Sequence, residues 1–349
     1  MSLSINGTTL DKLYVNGAEM DMGFINGVEV FSSGPKTRVI HAARYGTLRI
    51  LNGTATPTTV TYGKDAYWQN LVCAGDYIVV DPSNYNDDVF YVYDIDTGAL
   101  VDSIATADND IYSAYAPIYD SKLNRIYNTR NNLDSYYFPI TTTGDISTPS
   151  HMTGSSYMYL ATGGFPCALS VDSTKIYFRY HNGSFTVTAE YDIASGDMLQ
   201  FAAGGYDITQ FTVGSNGKIF ACTNQAIYYV YNQGNGNFIH YLYQPFGNNA
   251  SYCSCQYVAG NYVYFGEGSW VRRIDINTYA TASVQVTGLS GTIEQMKADE
   301  NYLYCANQNY TAAVSLSSFS YVGLVPNVGG TWNSEGLLTT TSSYQVFNG

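Results

Sequence analysis

Side chains capable of acid-base or nucleophilic chemistry are sparse in this chain, and none fall at the spacing such chemistry needs. The four histidines, His41, His151, His181 and His240, are far apart, and no carboxylate or cysteine pattern recurs beside them. They read as neutral structural imidazoles rather than bases or ligands. Of the six cysteines (Cys73, Cys167, Cys222, Cys253, Cys255 and Cys305), Cys253 and Cys255 stand two apart and would share one face of a strand. Nothing else supplies matching metal-ligand spacing, so the thiols are expected to be free and buried, as suits a reducing cytoplasm. Acidic residues gather at Asp81, Asp87, Asp88, Asp94, Asp96, Asp102, Asp108 and Asp110. The run DPSNYNDD is rich in oxygen but lacks the alternating Asp spacing and distal Glu of a calcium-binding helix-loop-helix, and reads as a solvated loop. There is no Gly-x-Ser-x-Gly elbow and no phosphate loop ending in Gly-Lys-Ser/Thr. The sequence therefore nominates no catalytic residue, no cofactor and no metal site. A carboxylate pair for glycoside cleavage is set by distance in space, so a polysaccharide-cleaving enzyme stays open as an alternative.

Binding chemistry is better represented. The chain has 35 Tyr, 15 Phe and 3 Trp, with only 12% charged residues. Aromatics around Tyr252, Trp270 and Trp332, flanked by Asn and Ser, have the character of loops that stack on sugar rings and hydrogen-bond their hydroxyls. A net charge of -13 argues against nucleic acid, whose phosphates demand clustered Lys and Arg. No apolar run approaches the roughly 20 residues of a membrane helix. Met1 to Leu10 lack the basic start and apolar stretch of a secretion signal, so export by that route is not expected. Asn-x-Ser/Thr triplets, such as those at Asn182 and Asn309, read as turn chemistry in a chain rich in Asn, Ser and Thr.

The elements that must position these residues are strands. A degenerate unit recurs with apolar centres at Ile78, Ile126, Ile176, Ile219, Val263, Leu303 and Leu337, at spacings of 48, 50, 43, 44, 40 and 34 residues, which bracket the length of β-propeller blades, about 40 to 50 residues. A second strand follows in several units and ends in a shared turn: VYDIDTG (Val92 to Gly98), EYDIASG (Glu190 to Gly196) and RIDINTY (Arg273 to Tyr279). Stretches such as Asn70 to Ala74 and Phe165 to Ser170 would supply the innermost strands. Six units run from about Asn70 to Val325, and a last one, GLLTTTSSYQVFNG, has room for only two strands, taken as outer ones. Thr37 to Thr61 is strand-like and would complete that blade, closing the ring by pairing both ends of the chain and removing open edges. The expectation is an all-β propeller of seven blades, or eight if the N-terminal strands form a partial blade. These units resemble propellers whose strands end in an Asp-then-Gly turn. They lack the Trp-Asp dipeptide, the paired glycines and the Ser-x-Asp-x-Gly-x-x-Trp box of three large propeller families.

Ahead of the repeat stand three Asn-Gly pairs ten residues apart, Asn6-Gly7, Asn16-Gly17 and Asn26-Gly27, each preceded by an apolar residue. Asn-Gly best accepts the positive φ angles of a two-residue type I′ turn, so each pair predicts a hairpin and the set predicts a small antiparallel β-meander. A module of this size cannot bury a core alone, since chains below about 40 residues usually need disulfides, metal or partners. The run INGTTLDKLYVNGAEMDMGFINGVEVF resembles the Asn-Gly-rich N-terminal segments of tailed-bacteriophage virion proteins. The resemblance covers about the first tenth of the chain. It implies residues 1–34 as an anchoring module on other virion proteins, with the three Asn-Gly turns as anchoring turns. Residues 35–349 form the propeller behind a Ser-Ser-Gly-Pro linker, displayed in multiple copies on a virion assembled in the host cytoplasm and gripping a host-surface glycan. Two further readings compete: a propeller hydrolase or lyase carried on the virion, and a bacterial interaction scaffold unrelated to phage.

Overall fold

The computed structural model describes residues 4–5, 8–9, 13–15, 18–20, 22–25, 28–32, 37–43, 46–63, 71–80, 89–105, 118–128, 136–152, 168–181, 186–201, 208–214, 217–223, 226–232, 238–245, 253–307, 309–328 and 337–340. Among these, every regular element is a β-strand, and no helix is long and apolar enough to cross a membrane. The chain divides into two compact units, Met1–Thr37 and Arg38–Gly349.

The larger unit is a β-propeller of seven four-stranded antiparallel sheets among the described residues. Six are contiguous in sequence. Blade one takes Leu71–Ala74, Tyr77–Val80, Val89–Asp94 and Leu100–Ala105, and blade two takes Ile118–Asp120, Arg125–Asn128, Tyr136–Pro139 and Ser150–His151. Blade three takes Ala168–Leu169, Lys175–His181, Thr186–Asp192 and Met198–Phe201, and blade four takes Ile208–Val213, Ile219–Thr223, Ala226–Asn232 and Phe238–Pro245. Blade five takes Cys253–Ala259, Tyr262–Glu267, Trp270–Asp275 and Thr281–Gln285, and blade six takes Gln295–Ala298, Tyr302–Ala306, Thr311–Ser315 and Ser320–Leu324. Blade seven is composite: Leu337–Thr340 from the C-terminal end is its innermost strand, followed by Val39–Ala43, Thr47–Ile50 and Thr58–Thr61. Leu337 pairs with Ala42 and Thr340 with Val39. Each innermost strand lies beside that of the next blade, and blade seven lies against blade one, so the ring is closed.

The repeat centres Ile78, Ile126, Ile176, Ile219, Val263 and Leu303 all fall on second strands, and all are buried. Leu337 does not belong to that series. It sits one strand earlier, on the innermost strand, and the second-strand position of blade seven is held by Ile40, also fully buried. Among the described residues the C-terminal end therefore contributes one innermost strand where two outer ones were expected. Innermost and second strands are both buried apolar runs, so the local pattern cannot tell them apart. Only the short spacing from Leu303 hinted at the slip.

The core is a set of layers between consecutive blades rather than one central mass. Ile40, Leu48 and Val60 of blade seven meet Cys73, Ile78, Val80 and Tyr93 of blade one. Phe90 and Val92 meet Ile126 and Phe138, and Val271 and Tyr264 meet Met296, Leu303 and Val314. Each fully buried aliphatic side chain stabilises its layer by roughly 1.5–3 kcal/mol. Cys73 and Cys305 are buried inside these layers.

The smaller unit consists of hairpins: Ser4–Ile5 with Thr8–Thr9, Leu13–Val15 with Ala18–Met20, and Met22–Ile25 with Val28–Ser32. Ile5 pairs with Thr8, Val15 with Ala18 and Ile25 with Val28, so two residues connect each pair of strands. Those connecting residues, Asn6, Gly7, Asn16, Gly17, Asn26 and Gly27, themselves lie outside the described residues. Among the described residues the hairpins form three two-stranded sheets rather than one continuous meander. Between Met20 and Met22 stands only Asp21. One residue is too few to reverse the chain between antiparallel neighbours, whose shortest common link is two.

Candidate functional site

Strand order gives the propeller two faces of different character. Links from first to second and from third to outermost strands leave on one face; links from second to third strands, and from each blade to the next, leave on the other. On the first face many links are short, as at 75–76, 95–99, 193–197, 260–261, 276–280 and 299–301, while 51–57 and 140–149 are longer. Among the described residues, the blade-to-blade link 286–294 lies on the second face.

On the tight-turn face, carboxylates are spent on the backbone. Asp94 Oδ1 accepts from the N–H of Thr97 at 2.8 Å and of Asp96 at 3.1 Å. Asp192 Oδ1 accepts from Ser195 at 2.9 Å and Ala194 at 3.0 Å, and Asp275 Oδ1 from Thr278 at 2.7 Å and Asn277 at 2.8 Å. The Ser195 and Thr278 N–H groups hold the Asp192 and Asp275 carboxyls below their usual range. Burial works to raise Asp94, but the Thr97 hydroxyl and the N–H groups of Thr97 and Asp96 outweigh it, and Asp94 also ends lowered. The residue closing each turn has positive φ: Gly98 at 69°, Gly196 at 77° and Tyr279 at 66°. Gly98 is needed for a second reason, because a Cβ there would stand 2.1 Å from the Thr61 carbonyl oxygen of blade seven.

Second strands carry buried tyrosines one residue after the repeat centre, and these tie the layers together. The Tyr304 hydroxyl donates to Asp299 Oδ2 at 2.9 Å and accepts from the Gly53 N–H of blade seven at 2.8 Å. Burial, reinforced by Asp299, pushes its pKa up, and burial also pushes Tyr264 to about 12. Tyr177 and Tyr127 occupy the matching positions in blades three and two, and burial raises both, with Glu190 and Asp120 respectively adding to it. Sequence reasoning counted the tyrosines as structural without finding this ladder, although the recurring Ile-Tyr, Val-Tyr and Leu-Tyr pairs carry its signal.

Exposed aromatics stand on both faces among the described residues: Tyr279, 48% exposed, on the tight-turn face, and Trp270 and Tyr310 on the second. Trp270 opens the third strand of blade five and Tyr310 precedes that of blade six; they are 40% and 44% exposed. The link 286–294 runs between them and is fixed to both turns. Val286 N–H donates to the Ser269 carbonyl at 2.9 Å and Ile293 N–H to that of Gly268 at 3.0 Å. The Asn307 amide donates to the Ser290 carbonyl at 2.8 Å, while its oxygen accepts from the N–H groups of Asn309 and Tyr310, both at 3.0 Å. Beside Trp270, Arg272 forms an ion pair with Glu267. The result is two half-exposed rings on a rigid, hydrogen-bonded mount, with amide and charged groups at its edge.

Of the aromatics singled out in the sequence, Trp270 is described and exposed; Tyr252 and Trp332 lie outside the described residues. Tyr310 was missed because one tyrosine among 35 carries no local mark. Among the acidic residues, Asp94, Asp96 and Asp102 are engaged in structure: Asp96 pairs with Arg38, and Asp102 Oδ2 accepts from the Ile146 N–H at 2.8 Å. Asp81, Asp87, Asp88, Asp108 and Asp110 lie outside the described residues. His41 is buried near Arg49, and His151 stacks on Tyr136 at 4.3 Å. Among the described residues, no three His, Cys, Asp or Glu side chains gather as metal ligands.

No protein-family model matches the chain, and no curated protein matches it. Among solved structures, the chain is similar to a functionally unknown protein from Desulfotomaculum acetoxidans at 14% identity and a TM-score of 0.59, covering 87% of this chain and 99% of that one. It is also similar to apo AztD from Citrobacter koseri at 10% identity, TM-score 0.53, covering 87% and 98%. A computationally designed protein, Ika8, matches at 12% identity and a TM-score of 0.50, covering 80% and 98%. At these identities the likeness concerns the fold alone.

Proposed function

We propose that this chain is a structural component of a tailed-bacteriophage particle, as a tail, appendage or decoration protein. Residues 1–34 dock on other virion proteins, and the propeller is displayed outward in multiple copies as a non-catalytic disc. One observation carries this reading: the ring closes with Val39–Ala43 as its first chain-order strand, so the three hairpins before it are not needed to complete the propeller. Each hairpin is a two-stranded sheet, and such a sheet is marginal by itself in water. A unit of this kind, repeated three times with a ten-residue period and separate from a self-sufficient domain, suits docking on a larger assembly. Protein made in the host cytoplasm and assembled there needs neither membrane insertion nor nucleic-acid contact.

The test is deletion of residues 1–37 from the gene in a phage that carries it. The truncated chain is expected to fold, with unchanged near-ultraviolet circular dichroism, and to vanish from purified particles. Particles that retain it would overturn the reading and favour a scaffold unrelated to phage.

The outward function we assign to the propeller is grip on a host-surface glycan through the second face. Trp270 and Tyr310 support this, since half-exposed rings on a fixed mount stack on sugars without first being ordered. Glycan-array binding by the purified chain is expected to fall at least tenfold in Trp270→Ala. Release of reducing ends from host capsule or lipopolysaccharide would instead establish the hydrolase or lyase alternative.

A further inference from the structure

The rim of the propeller has a property that neither face shares. The outermost strands are Thr58–Thr61, Leu100–Ala105, Ser150–His151, Met198–Phe201, Phe238–Pro245, Thr281–Gln285 and Ser320–Leu324, and among them Asp102 is the one Asp, Glu, Lys or Arg. Asp102 is already committed to the Ile146 N–H of blade two and the Ser103 N–H. Charge is not scarce one strand further in, where Asp94, Glu190, Asp192, Arg272, Arg273 and Asp275 sit. Outermost strands present unpaired N–H and C=O groups, and monomeric proteins protect such edges with charged side chains, proline or bulges.

The arc from blade six through blade seven to blade one combines an uncharged edge with exposed apolar flanks. Its third-to-outermost ladders are bulged in blade one at Val92/Tyr93 and in blade six at Ala313/Val314, but blade seven between them is regular from Thr47–Thr61 to Ile50–Thr58. Thr58, Thr59 and Thr61 are exposed. On one side stand exposed Leu100 and Val101, on the other exposed Val322 and Leu324. The arc is contiguous: a Cβ at Gly98 would meet the Thr61 oxygen, and one at Gly323 would meet Thr54 Cγ2 at 3.2 Å.

We propose that this arc binds a second copy of the chain. The Thr58–Thr61 edges of two copies pair antiparallel across a two-fold axis, joining two blades seven into one eight-stranded sheet, with Leu100, Val101, Val322 and Leu324 covered on its flanks. A two-fold contact uses the same patch on both partners, and a strand of Thr and Val is well suited to adding to its own copy. Charge selects the occupant. Two copies that each carry -13 repel wherever their acidic surfaces meet, and an uncharged rim is where they can approach without that penalty. This inference is independent of the virion reading.

Sedimentation velocity of the full chain from about 1 to 100 μM tests it, with hydrogen exchange followed at 58–61. The expected result is a monomer-dimer equilibrium in which exchange at 58–61 slows as concentration rises. The double variant Thr59→Lys/Thr61→Lys is expected to weaken the dimer at least tenfold at unchanged thermal midpoint, and Val322→Lys to weaken it less. A wild-type chain that stays monomeric throughout would overturn the proposal. So would association that survives the double variant, which would place the contact elsewhere, for example in the N-terminal hairpins.

Discussion

The two faces of the propeller use the same polar residue types for opposite ends. On the tight-turn face Asp94, Asp192 and Asp275 point their oxygens back at their own backbone, and Gly98 fits against the neighbouring blade with no room for a Cβ. On the other face Asn307 does the same local work, yet what it holds in place is an exposed tyrosine beside an exposed tryptophan. One face spends its side chains on closing the ring. The other, among the described residues, mounts two exposed rings, Trp270 and Tyr310, on one hydrogen-bonded link, where the tight-turn face exposes Tyr279.

That contrast can be broken by substitution. Gly98→Val should have the largest effect, about 3 kcal/mol of lost stability, because positive φ strain adds to the collision with Thr61. Thermal unfolding measures it, and a loss below about 1 kcal/mol would mean the blade one to blade seven junction is not clamped there. Tyr304→Phe should come next at about 2 kcal/mol, since it leaves both Asp299 and the Gly53 N–H without their buried partner. Chemical denaturation at neutral pH reads it directly.

Changing pH should act on the tight-turn face and its neighbouring layers. Asp94, Asp192 and Asp275 are lowered in the folded chain, so the unfolded chain takes up protons first. Their contribution is present above the unfolded value of about 3.9 and is lost as pH falls through the lowered folded values. The denaturant midpoint should therefore drop from about pH 4 downward, less steeply in Asp192→Asn. At the alkaline end, Tyr191 and Tyr264 are raised to about 12, so stability should decline from about pH 10, where unfolded phenols ionise, through the folded values. A late fraction of the tyrosinate absorbance, that of the buried phenols, should rise together with unfolding rather than before it. Trp270→Ala and Tyr310→Ala should have the smallest effect on stability, within about 0.5 kcal/mol, as expected for exposed side chains. A larger loss in either would mean that the second face, too, is a structural clamp.

Much of the scaffold was legible. The repeat centres and the Asp-to-Gly turns are local signals, and each landed on the strand or turn it implied, except at Leu337. There the pattern named a buried strand without its place in the blade, because inner and second strands share one composition. The meander failed for a related reason: Asn-Gly codes for the reversal inside each hairpin, but nothing at Asp21 codes for pairing between hairpins. Of the binding aromatics, Trp270 could be guessed by rarity, while Tyr310 could not.

By itself, the sequence determined the elements, their repeat and the turns between them, because each depends on residues a few positions apart. Packing in three dimensions settled which strand closes the ring, which tyrosine meets Gly53 across 251 residues, and which aromatic rings stay exposed. Those outcomes depend on how blades stack, and stacking is set by shape and hydrogen bonding between segments that no local pattern relates.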